Sequence, residues 1–436
     1  MKNSSFVIIV ALIICLNSGC NRAGNHKTNP LLTVPFVTQS TSRPGSFCEF
    51  NGKLYFAADD GVNGRELWCV DGTNPPALAY DLDTDPAVYD EDGRASSGTS
   101  DAYSLTVHDG KLYFFSKGDL YSFDGSSIPV AGLSMEAMDA GRPEKLYSFG
   151  GSLYFFTEKS EGSCSFWRYD CVNPPVLLTV FTRTNGERPC LPDWIMDHNG
   201  RLYFDMDDGA HGREPWMCDG VNPPSMVADM VPGAAGSRPA KPASFGGKLY
   251  FGCLPGSRTQ APYLYEYDGV NPPAAVYPAG GYMYPESAAV FNGRLYFSAS
   301  DAAHGREIWS FDGTNPPAMA FDLVPGVKGS EPGPLFSTGS RLYFRANSRA
   351  YDDDYCWTHD NYLWLYDGTN PPAIAYNKQT SAVFHEYGGR VFFARDRDGY
   401  YGSDYEPAEF NEASGMITEY DINNRIFTRY FMPFTM

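Results

Sequence analysis

Apolar residues in this chain fall into short runs, most of them opened by Leu-Tyr-Phe and separated by stretches rich in Gly, Asp, Asn and Pro. The triplet begins at Leu54, Leu112, Leu153, Leu202, Leu249, Leu295 and Leu342, with Val391-Phe392-Phe393 as an eighth, altered copy. Steps of 41 to 58 residues separate them, the period of one supersecondary unit in a repeat protein. A second signal, Asp-Gly-x-Asn-Pro-Pro, starts at Asp71, Asp219, Asp268, Asp312 and Asp367. Weaker copies stand at Asp124 and Asp170, and an eroded one at Asn411.

Each unit reads as four strands. In the first, strand a covers 46–50, Asn51-Gly52 supplies a tight hairpin turn, and strand b covers 53–58. An Asp- and Gly-rich loop leads to strand c at 65–70, and Asp71-Gly72-Thr73-Asn74-Pro75-Pro76 turns the chain into strand d at 77–82. Proline cannot donate to a ladder, so Pro-Pro belongs at a strand's start. Strand b is apolar at consecutive positions, Leu54 to Ala58, so both of its faces need cover. Four-stranded sheets stacked around an axis provide that cover and leave only short edges. The pattern therefore predicts an all-β β-propeller of four-stranded blades, with eight blades expected and seven as the alternative. Residues 31–36 resemble the strand d sequence at 176–181, and 425–432 form another spare strand. Either would complete the last blade.

Composition agrees. The chain has 436 residues, with 44 Gly, 33 Pro, 30 Tyr and 29 Phe, a turn-and-strand profile. With 33 Lys and Arg against 52 Asp and Glu, the formal charge is −19. No basic run occurs, which argues against nucleic acid as a partner. Residues 1–20 read as a signal peptide: Lys2, an apolar stretch at 6–16, then Ser18-Gly19-Cys20. The last three resemble a bacterial lipoprotein box, which would make Cys20 the lipidated residue of a cell-envelope lipoprotein at the outer membrane or cell surface; plain secretion is the alternative. Residues 21–30 are polar and read as a flexible tether, leaving 31–436 as one propeller domain. Membrane contact is expected only through that anchor, and the protein is expected to be a monomer. Eight further cysteines permit disulfides without assigning them, and no Cys-x-x-Cys pair suggests zinc.

Glu66-Leu67-Trp68-Cys69-Val70-Asp71-Gly72-Thr73 resembles the bacterial repeat family named ELWxxDGT after that string, and Glu307-Ile308-Trp309-Ser310-Phe311-Asp312-Gly313-Thr314 is nearly identical. Glu214-Pro215-Trp216 and Leu363-Trp364 keep parts of it. Asn-Pro-Pro departs from the Ala-rich continuation of that family. The resemblance implies an exported, propeller-like scaffold and carries no catalytic residues. A weaker likeness to the Asp box of sialidase-type propellers places the Trp on the wrong side of the Asp.

In such a blade the b-to-c loops and d-to-a crossings share one face, and the uniform a-to-b and c-to-d turns share the other. Departures from the repeat gather on the first face, at 82–102, 346–362 and 395–405. There Tyr351, Tyr355, Trp357, His359, Tyr400 and Tyr401 are candidate ligand-binding residues, because exposed aromatics stack on sugars and grip proteins. Asp352, Asp353, Asp354, Asp360, Asp396, Asp398 and Asp404 are candidate Ca2+ ligands, since that hard cation takes six to eight oxygens. Solvated acidic loops are the alternative. His211 and His304 recur in the same His-Gly-Arg-Glu slot, in step with the fold, which suits loop formers better than catalysts.

The chain is thus expected to be a binding or scaffold module for a glycan or protein partner, requiring no cofactor beyond that Ca2+, and not an enzyme. The alternatives are a polysaccharide hydrolase or lyase working in the propeller funnel, and a purely structural surface protein. Strand a discriminates them, because an enzyme would gather ionisable groups there; only Glu49 and Lys145 stand out in the segments read as strand a.

Overall fold

The computed structural model describes residues 43–85, 87–89, 95–159, 162–182, 191–254, 263–276, 285, 287–349, 361–378, 380–396, 405–411, 416–421 and 426–431. All regular structure among them is β. Seven antiparallel sheets of four strands follow one another, each in simple a-b-c-d order, and an eighth has five strands. In blade 1 the strands are Gly45–Phe50, Lys53–Asp59, Arg65–Val70 and Ala77–Tyr80. The predicted positions hold to within two residues at every end. Blades 2 to 7 start at the strands Tyr103–His108, Arg142–Phe149, Ile195–His198, Ala243–Phe245, Ala288–Phe291 and Leu335–Ser337.

The core explains the Leu-Tyr-Phe triplet. Leu54, Tyr55 and Phe56 are all buried, and so are their counterparts through Leu342, Tyr343 and Phe344. Alternate residues of strand b point to opposite sheet faces, so each triplet feeds two interfaces. Leu54 packs with Val70, Tyr387 and Phe392, between blades 8 and 1. Tyr55 packs with Leu112 and Phe114, between blades 1 and 2. Further clusters fill each junction from blades 2–3 round to 7–8. The ring is therefore closed by face packing: this is an eight-bladed β-propeller.

Closure differs from the sequence expectation. Blade 8 is built from consecutive strands, Thr380–Tyr387, Arg390–Asp396, Tyr405–Asn411 and Met416–Asp421, and Ile426–Phe431 adds a fifth outside them. The C-terminal spare strand thus extends a complete blade instead of replacing a missing strand. The N-terminal candidate, 31–36, lies outside the described residues, as do the signal segment, Cys20 and the tether.

Strand a forms the inner wall. In blades 1 to 3 it carries a bulge at a residue of positive φ: Ser46, Ser104 and Lys145. Such a bulge turns the backbone toward the neighbouring blade. Ser46 Oγ accepts from Ser104 N at 3.1 Å, and Ser104 Oγ from Leu146 N at 2.8 Å. Lys145 Nζ donates to Asp193 O of blade 4 at 3.2 Å. Ser287 Oγ accepts from Leu335 N between blades 6 and 7 at 2.8 Å. The hydroxyls of strand a are thus largely occupied in joining blades.

Candidate binding face

The motifs that look most chemical are turn devices. Asp71 Oδ1 accepts from Thr73 N at 2.9 Å and Asn74 N at 2.8 Å, while Oδ2 accepts from Asn74 Nδ2 at 2.9 Å. Asp170, Asp219, Asp268, Asp312 and Asp367 repeat this with the Asn three residues on. The same device serves the opposite face. Asp60 binds Asn63, Asp208 binds His211, and Asp301 binds His304, each through a side-chain contact of 2.8 to 2.9 Å. His211 and His304 are thus held by their own loops, and the paired aspartate raises the pKa of each.

The Arg-Glu pair that follows is a two-way clamp. Arg65 donates to Arg43 O, and Arg213 to Leu191 O at 3.0 Å, gripping the chain as it enters the same blade. The glutamates, fully buried, reach the opposite way. Glu307 accepts from Leu323 N at 3.2 Å, Val324 N at 3.1 Å, Ser330 N at 2.8 Å and Ser330 Oγ at 2.6 Å, fixing the crossing from blade 6 to 7. Glu214 holds Val231 and Ser237 between blades 4 and 5, and Glu66 holds Leu82 and Ser100 between blades 1 and 2. A buried carboxylate is tolerable only with its lone pairs so filled.

Sequence reasoning missed the partner of this clamp. Met230-Val231-Pro232-Gly233-Ala234-Ala235-Gly236-Ser237 and Leu323-Val324-Pro325-Gly326-Val327-Lys328-Gly329-Ser330 are one motif, repeated in the crossings from blade 4 to 5 and from blade 6 to 7. Its second glycine is forced by contact. A Cβ on Gly329 would lie 2.4 Å from Arg306 N, and one on Gly305 2.5 Å from Gly329 N. The loop face is accordingly uniform at blades 4 and 6, whereas blade 1 keeps the clamp through Ser100 but has a longer crossing.

None of the predicted ligand residues Tyr351, Tyr355, Trp357, His359, Tyr400 and Tyr401, nor Asp352, Asp353, Asp354, Asp360, Asp398 and Asp404, falls within the described residues. Asp396 ends strand b of blade 8 opposite Tyr405. The strands that anchor those loops are described. Ala346 pairs with Tyr362 in blade 7, and the two blades share the cluster of Tyr343, Leu363, Tyr376, Val391 and Phe393. Blade 8 in turn packs on blade 1, whose crossing to blade 2 contains a two-stranded ribbon, Val88–Tyr89 with Ala95–Ser97. The three departures from the repeat therefore stem from contiguous blades.

The axial wall is more ionisable than expected, because strand a of blades 4 and 8 was not among the segments read. Glu49, Asp197 and Glu386 all occupy the register position opposite the first residue of the strand b triplet. All three are exposed. Asp197 Oδ1 accepts from Tyr147 Oη at 2.7 Å across blades 3 and 4.

On the turn face, a cavity of about 520 Å³ lies between blades 2 and 3, lined by His108, Lys111, Tyr113, Gly151, Asp170 and Cys171. It marks a paired departure. At the junctions of blades 1–2 and 6–7 an Asn reaches over the next c-to-d turn, as Asn51 Nδ2 does to Asp124 O at 3.4 Å, and only Gly fits beneath: a Cβ on Gly125 would meet Asn51 Nδ2 at 2.4 Å, and one on Gly368 would meet Asn292 Nδ2 at 2.3 Å. Here Asp109 replaces the Asn and Cys171 the Gly. Burial raises the Cys171 thiol, so it is not an activated nucleophile. No disulfide forms among Cys48, Cys69, Cys164, Cys171, Cys218 and Cys253, three of which are buried.

No protein-family model matches the chain. No curated protein matches it either. Among solved structures it is similar to the computationally designed Ika8 protein, at 11% identity and a TM-score of 0.46, over 83% of this chain and 96% of the other. The β-propeller domain of the Trilobed protease from Pyrococcus furiosus gives 10% identity and 0.41, over 85% and 95%. The tricorn protease gives 10% and 0.46, over 89% of this chain and 44% of its own length.

Proposed function

We propose that this propeller is an exported binding module that presents one sector of its loop face, at blades 7, 8 and 1, to a glycan or protein partner. The observation that carries this reading is the division of labour in the repeat. Its aspartates, histidines and Arg-Glu pairs are engaged in turns and crossings, so the recurring ionisable groups are spent on the fold. Residues that break step are those left for a ligand, and they spring from adjoining blades. Rigid scaffolds bearing variable loops serve binding in this way. The acidic aromatic loops suit sugar stacking, with Ca2+ as an accessory ligand.

A glycan array probed with the purified protein, with and without Ca2+, tests this. Binding to a defined glycan set is expected, and Tyr355→Ala with Trp357→Ala should weaken it at least tenfold, as loss of a stacking aromatic does. Unchanged affinity would move the site elsewhere. One observation favours a second reading, a polysaccharide hydrolase or lyase: Glu49, Asp197 and Glu386 share one level of the axial wall. Cleavage of an array hit that Glu49→Gln abolishes would establish that reading instead.

A further inference from the structure

Outer strands of this propeller differ in how they meet solvent. In blades 4 and 5 strand d is two residues long, Ser225–Met226 and Ala274–Ala275. Among the described residues of strand d in blades 1, 6 and 7, no large apolar side chain is exposed. Blade 8 covers its own outer strand with Ile426–Phe431. Blade 3 does neither. Its outer strand, Val176–Thr182, has seven residues, the longest of the outer strands in blades 1 to 7. No strand pairs with its free side among the described residues. Val176, Leu177 and Val180 are 45 to 47% exposed, and on the preceding blade Ile128 and Val130 are 72 and 61% exposed. Edges of this kind are normally shortened, charged or covered, because unpaired backbone groups beside apolar side chains template another strand.

We infer that this edge pairs with the same edge of a second copy, strand Val176–Thr182 running antiparallel to itself about a two-fold axis. Charge selects that occupant. The strand has no ionisable residue and no proline, in a chain of net charge −19, so two copies meet where like charges are absent. A cationic partner would find nothing here to bind. Geometry agrees: an antiparallel pair of identical strands is self-complementary, as an isologous interface requires. The fifth strand of blade 8, running antiparallel to strand d, shows that an outer edge in this protein accepts another strand. Pairing would join two four-stranded blades into one eight-stranded sheet and cover part of Val176, Leu177 and Val180. The loop face stays free, so this inference is independent of the ligand reading.

Sedimentation of the purified protein from about 1 to about 100 μM, the upper range for weak specific interfaces, should show a monomer–dimer equilibrium. Leu177→Lys with Val180→Lys should abolish the dimer while circular dichroism and Tm hold. Val221→Lys with Val270→Lys, which adds the same charge at 76 and 84% exposed turn positions, should leave it intact. A wild-type monomer at every concentration, or a dimer that survives the edge variant, overturns the proposal. If the edge variant misfolds, hydrogen exchange on the wild type decides. Protection of the 176–182 amides that rises with concentration supports the pairing, and exchange that ignores concentration overturns it.

Discussion

Glu66, Glu214 and Glu307 show how a single residue type can be spent on closing a ring. Burial pushes the Glu66 carboxyl up to about 7, against the opposing pull of its Ser100 and Leu82 donors, and raises the other two in the same direction. A folded state that holds a proton the unfolded chain has released loses stability as pH rises between the two values. Unfolding free energy from urea titrations should therefore fall between about pH 5 and about pH 7, and Glu66→Gln should flatten that slope. The turn aspartates act at the other end. Hydrogen bonds from Asn and backbone amides pull Asp170, Asp219 and Asp268 down to about 2, so their contribution is present above the ordinary carboxylate value and lost as pH falls toward 2. A stability maximum near pH 4 to 5 is the expected outcome, and a maximum above pH 8 would show that the clamps do not titrate in this way.

At the scale of an element, the c-to-d turn demands a left-handed residue after its aspartate. Gly72, Gly125, Gly220, Gly269, Gly313 and Gly368 fill that position with φ between 81 and 92°, whereas Cys171 sits there at 62°. A side chain in this region costs about 1 kcal/mol relative to glycine. Cys171→Gly should accordingly raise the unfolding free energy by about 1 kcal/mol, less whatever its contact with Tyr113 contributes. Calorimetry that shows destabilisation would mean that the thiol's packing outweighs the backbone strain. Three of the a-to-b hairpins were legible from Asn-Gly: Asn51 and Gly52 both have positive φ, as do Asn199 with Gly200 and Asn292 with Gly293, the conformation of the favoured two-residue loop.

For the whole molecule, the seam between blades 8 and 1 joins chain segments more than 300 residues apart. Tyr387 closes it, packing on Leu54 and Val70 and donating from its hydroxyl to Gly52 O. Phe47 stacks on His385 across the same seam, with ring centroids 6.3 Å apart. Tyr387→Ala should cost about 3 to 5 kcal/mol, the range for a large aromatic removed from a core. Because seven junctions survive, it should also broaden the unfolding transition. A sharp transition with unchanged midpoint would mean that the ring does not depend on its seam.

The local parts of this protein were determined by sequence alone. Strand order, hairpin turns, the double-faced strand b and the blade count each follow from contacts within one repeat, and the repeat states them eight times. The duty of Glu66 and its counterparts was not legible, since the groups they hold lie 16 to 34 residues ahead, in the crossing that leads to the next blade. Their Gly-Ser crossing motif acquires meaning only when the two backbones meet. Likewise the axial level of Glu49, Asp197 and Glu386, and the closure by face packing with a fifth strand outside it, depend on how blades stand against one another. Such long-range placements arise from the packing of finished blades, and tertiary structure alone decided them.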